Sequence, residues 1–162
     1  MDRAFGKWLL VLGLLITCIG CGNATGAAEV REAAFAGSWY PGTASELSKT
    51  VDDYLAKAEK ASENGKVVAL IAPHAGYKFS GEVAAHAYKQ IQGMEFDTVV
   101  LVGLAHRYPV PGASVYESGE YRNPLGDVEV DSKLAKQLMD EDENIKFYPK
   151  AHIPEHSIEN QI

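Results

Sequence analysis

Cysteine is almost missing from this chain: the 162 residues contain two, Cys18 and Cys21, both near the start. The body after them has no thiol, which excludes an internal disulfide and a thiolate metal ligand there. A surplus of positive charge is missing as well. Fifteen Lys and Arg stand against 22 Asp and Glu, for a net charge of −7. Acidity persists without Asp2, Arg3 and Lys7, so the chain lacks the electrostatic footprint of a nucleic-acid binder. Long apolar runs are also lacking, since Trp8 to Gly20 falls short of the ~20 residues that a membrane-spanning helix needs. Neither an internal repeat nor a low-complexity tract is present. What is there is ordinary for a globular protein: 46% hydrophobic, 23% charged and 9% aromatic residues. That composition excludes a disordered or collagen-like chain, and the length past the leader suits one domain of about 100–150 residues.

Arg3 and Lys7, the apolar stretch after them and a small-residue boundary are the parts of an export signal. Gly20-Cys21 resembles the cleavage and lipid-attachment box of bacterial lipoproteins, with Cys18 where that box usually carries leucine. The expected organisation is a lipoprotein-type signal peptide over 1–21, a flexible tether over 22–29 and a folded domain over 30–162. Lipidation of Cys21 would place an exported protein on a membrane surface of the cell envelope. A Cys18–Cys21 disulfide is the alternative.

Thr43 to Lys60 carries a helix cap and an apolar stripe of Leu47, Val51, Tyr54, Leu55 and Ala58, stopped by Asn64-Gly65. Val67 to Ala72 and Asp97 to Gly103 are continuous apolar runs, the pattern of strands buried on both faces. With a helix over Ser80 to Gln92 between them, they form a βαβ unit. The expected class is therefore α/β, a mostly parallel sheet flanked by helices. Further on, Ser114 to Glu117 and Ile145 to Tyr148 read as strands, Asn123 to Asp127 as a turn, and Asp131 to Asp140 as a helix capped by Asp131. Glu155 opens another helix.

Five histidines are present. His74 and His106 each follow one of the two apolar runs, and ligands of open parallel sheets bind beyond the carboxyl ends of the strands. A pair of imidazoles there suits Fe(II), Zn(II) or Cu(II). Tyr77 offers a hydroxyl near His74. Glu155-His156-Ser157 puts an acid, a base and a hydroxyl together, so a general base or third ligand can come from His156 or Glu155. The alternative for that segment is a helix start whose acids complement the dipole. His86 reads as a packed or surface residue, His152 as a loop residue without a partner, and Trp39 and Tyr40 as packing aromatics.

Four segments taken in order carry a resemblance: Arg31 to Tyr40, Ala72-Pro73-His74-Ala75-Gly76-Tyr77, Ala85 to Gln90 and Glu155-His156-Ser157-Ile158-Glu159. Together they resemble the Memo family, called AmmeMemoRadiSam system protein B in prokaryotes. The resemblance implies a fold like class III extradiol dioxygenases (LigB-like), of which this chain is the N-terminal part. It implies iron or copper held by two histidines and a cysteine, with His74 and His106 matching the histidines. His106 sits in Gly103-Leu104-Ala105-His106 where the family usually has Gly-Pro-Ser-His. His156 matches a histidine near the pocket, a candidate catalytic group. The cysteine ligand and an Asp-His motif are expected beyond residue 162, which makes the chain a truncated form. The implied function is metal binding, with Fe(II) first and copper second, and redox or oxygen chemistry on a small molecule in the crevice. The alternative is a lipid-anchored, non-enzymatic module that uses the crevice for a partner protein or a metal.

Overall fold

A computed structural model describes residues 29–61 and 65–162. The expected leader, the Cys21 lipidation site and the tether as far as residue 28 lie outside the described residues. None of the described helices is long and apolar enough to cross a membrane.

Helix α1 spans Ala44–Lys57, and its cap is the one the sequence announces: the Thr43 side chain accepts from the Glu46 N–H. It ends before the expected Asn64-Gly65 stop because Ala58 is already extended, with its N–H on Tyr54 O. Helix α2, Tyr77–Tyr88, starts earlier than expected and runs into a 3-10 turn over Lys89–Ile91. The two helices pack together, with Leu47 buried on α1 and Ala84 and Ala85 buried on α2. Gly81 makes the close approach possible, since a Cβ there would lie 2.6 Å from the Tyr54 ring.

Two small sheets complete the fold. β1 (Val30–Arg31) pairs parallel with β3 (Glu120–Asn123), which forms an antiparallel hairpin with β4 (Gly126–Glu129) around the expected turn. β2 (Ala113–Ser114) pairs parallel with β5 (Ile145–Lys146). Helix α3, Ser132–Glu141, is capped by Asp131 as the sequence indicates, through the Leu134 N–H. The class is α/β, with a small sheet and helices.

The βαβ expectation is corrected. Val67 to Ala72 and Asp97 to Gly103 run outside any ladder, and Val68, Ile71 and Val102 are 92%, 98% and 93% exposed. Their apolar composition fits strands buried on both faces, but a ladder needs neighbours, and among the described residues none pairs with them. The final segment is corrected too. In place of an α-helix opening at Glu155, a short helix α4 (Pro149–His152) leads to a turn and a 3-10 element over Glu159–Gln161.

His152 is the third correction, because it is buried and doubly partnered. Its Nε2 lies 2.8 Å from Ser114 Oγ and its Nδ1 2.9 Å from the Tyr121 hydroxyl, with the Tyr116 ring 5.2 Å away. Burial, reinforced by Arg31 and opposed by Glu155, pushes its pKa down to about 4. The unfolded chain, with an ordinary histidine near 6.5, then binds this proton more readily. Stability is therefore complete above about pH 6.5 and falls as pH drops toward 4, by on the order of 3 kcal/mol. Urea midpoints at pH 7 and pH 4.5 measure this, and His152→Gln is expected to flatten the dependence. A wild-type midpoint that does not move across this window would contradict the burial of a neutral imidazole.

Candidate metal centre

The loops leaving the two apolar runs bring His74 and His106 together, with ring centroids 5.2 Å apart. His156 comes from the C-terminal turn, with its centroid 4.5 Å from His106 and 5.7 Å from His74. The His106 and His156 rings are nearly parallel, at 22°. One nitrogen from each of the three lies within 4.8 Å of the others. Metal–nitrogen bonds of about 2.0–2.1 Å bring tetrahedral donors to roughly 3.3 Å apart, so the rings would close in on a bound ion.

His156 is buried, and its Nδ1 makes no hydrogen bond among the described residues. Glu155 Oε1 lies 3.4 Å from that atom, and three imidazoles brought this close are a donor set that suits a cation. Burial lowers its pKa, as do the neighbouring His106, His74 and Arg107, while Glu155 opposes them. A neutral imidazole is the form that ligates metal. The donor set present therefore fits a metal ion. Trp39 covers this ring at 4.1 Å between centroids and Phe35 meets it edge-on at 5.7 Å, so the aromatic segment read as packing also walls the site.

The C-terminal turn holds both histidine loops in place. Ser157 Oγ donates to Leu104 O at 2.9 Å, and Asn160 Nδ2 donates to His74 O at 3.0 Å. Gly103 is required by the first contact, because a Cβ there would lie 2.5 Å from Ser157 Oγ. Glu155 is buried beside His106, and its carboxylate faces N–H groups of His106, His156 and Ser157. Burial pushes this carboxyl up, but the hydrogen bonds from the His106 ring and those backbone groups outweigh it and hold the pKa at about 2.

Arg31 heads the first of the four resemblance segments, and the structure shows what it holds. Its buried guanidinium donates to the carbonyls of His152, Ile153 and Glu155 and pairs with Glu159. Glu159 in turn accepts from the Tyr40 hydroxyl at 2.7 Å and the Phe35 N–H at 2.8 Å. The residues that shape the site thus come from both ends of the described chain. Tyr77 stands elsewhere: its ring, 5.8 Å from that of Tyr40, lines a cavity of about 280 Å³ between α1 and α2 with Tyr54 and Tyr88. His86 is exposed on α2.

Comparison with known proteins adds a lineage to this geometry. A family model described as Memo-like protein matches residues 31–162. A MEMO1 family protein of Aeropyrum pernix is 35% identical over 143 residues, covering 83% of this chain and 51% of that protein. Protein MEMO1 of Danio rerio is 36% identical over 132 residues, covering 82% of this chain and 44% of that protein. The protein memo-1 homolog of Caenorhabditis elegans is 35% identical over 134 residues, covering 83% of this chain and 38% of that protein. The chain spans about half the length, or less, of these curated relatives.

Proposed function

The chain belongs to the Memo family, and on that premise we propose that it binds a metal ion through His74, His106 and His156. The observation that carries this reading is the convergence of three imidazole nitrogens within 4.8 Å, one of them from the buried ring of His156. Imidazole donors suit Fe, Cu and Zn, and the dioxygenase-like fold that the Memo resemblance implies favours Fe(II), with copper second. Such an ion supplies Lewis acidity or redox chemistry toward a small molecule in the crevice.

The chain's own residues have separable tasks in this reading. His74 and His106 reach the site from the two loops and His156 from the turn that ties those loops together. Trp39 and Phe35 shield the His156 side from water and offer an aromatic wall to a bound small molecule.

The test is calorimetric titration with Zn(II), Cu(II) and, under anaerobic conditions, Fe(II), comparing wild type with His74→Ala/His106→Ala. One ion per wild-type chain and none in the double variant is the expected result. Equal binding by both proteins would overturn the assignment. Oxygen uptake by the Fe(II)-loaded chain with catechols then separates an enzyme from a binding protein.

A further inference from the structure

Glu155 occupies an unusual position for an acid beside a cluster of imidazoles. Its Oε2 accepts from the His106 backbone N–H at 2.6 Å, and its Oε1 faces the His106 Nδ1 at 2.9 Å. The same Oε1 accepts from the backbone N–H groups of His156 and Ser157, both at 2.9 Å. Oε1 faces three nitrogens and Oε2 one, with His156 Nδ1 at 3.4 Å from Oε1 as well. Glu155 is thus engaged in holding His106 and the turn that carries His156.

This arrangement constrains His106. A carboxylate only accepts, so His106 Nδ1 must carry the hydrogen, which leaves Nε2 with the lone pair. The carboxylate also fixes the backbone of His156. We propose that Glu155 is the positioning residue of the metal centre, holding His106 in the tautomer that presents Nε2 and setting the turn that carries His156. The inference rests on the metal reading above. Histidine ligands generally have their second nitrogen held by such an outer partner, and loss of that partner costs about 10–100-fold in metal affinity.

Two measurements test it separately from that reading. In the metal-free wild-type chain, ¹⁵N shifts of the imidazole are expected to show His106 as the Nδ1–H tautomer; a dominant Nε2–H form would overturn the inference whether or not metal binds. Zn(II) titration of Glu155→Gln is expected to give a dissociation constant about 10–100-fold above wild type, with Glu155→Asp in between because it keeps the charge on a shorter stem. Circular dichroism of the metal-free variants identifies any that fail to fold, and for those the wild-type tautomer decides. Folded Glu155→Gln binding Zn(II) as tightly as wild type would overturn the positioning role while leaving the three-histidine site standing. A wild-type chain that binds no metal would remove the metal reading, with the tautomer result still deciding what Glu155 does to His106.

Discussion

Replacing Arg31 with alanine is expected to cost about 3–5 kcal/mol, a large part of the stability of an ordinary domain. Arg31 is 3% exposed, and its guanidinium donates to three carbonyls of the C-terminal segment while pairing with Glu159. Removing it takes the countercharge from the buried Glu159 carboxylate, which keeps only the neutral donors of Tyr40, Phe35 and Ala34, and leaves those carbonyls without their donor. An uncompensated buried charge is among the few single changes that reach this magnitude. Arg31→Lys is expected to fail as well, because one ammonium cannot reproduce a planar fork that reaches several acceptors at once. Urea denaturation followed by circular dichroism measures both variants. A loss below about 0.5 kcal/mol, the range of ordinary surface substitutions, would show that the network is dispensable. The site is expected to fail with it, since Arg31 holds the carbonyl of Glu155 at 2.8 Å, one residue before His156.

His156→Ala carries the second large effect, a loss of Zn(II) affinity greater than the ~10–100-fold typical of an outer-shell partner. The prediction separates a three-histidine site from the two-histidine site that the strand-end pattern suggests. The stacked placement of His156, 4.5 Å from His106 and under Trp39, makes it part of the cluster and not a bystander. Its replacement also removes a buried ring packed between Trp39 and His106, so the metal-free melting point is expected to fall, and the affinity loss is read on protein that remains folded. Titration of the variant and its metal-free melting curve together check this. Unchanged affinity would reduce the site to His74 and His106.

How much of this was legible in the sequence depended on how local each cause was. Thr43 and Asp131 announce their helices because a cap acts within three residues, and Asn123 to Asp127 announces its hairpin for the same reason. His74 and His106 were legible as a pair from their equivalent places after two apolar runs, although those runs form no ladder among the described residues. Composition shows what a strand would bury and is silent on whether a neighbour is present to bury it. What Arg31 holds was illegible because its partners lie more than 120 residues away, as the separations of 121 to His152 and 128 to Glu159 show. His152 looked partnerless for the same reason, its hydroxyl partners belonging to β2 and β3. Glu155 was noticed for its chemistry, and its contacts with His106, His156 and Ser157 became visible only in the fold.

The most direct measurement is X-ray absorption spectroscopy of the Zn(II)-loaded chain, which counts imidazole ligands around the ion. A centre built by His74, His106 and His156 predicts three imidazole nitrogens at about 2.0–2.1 Å, falling to two in His156→Ala. Two or fewer in the wild type, or a shell made mainly of carboxylate oxygens, would contradict it.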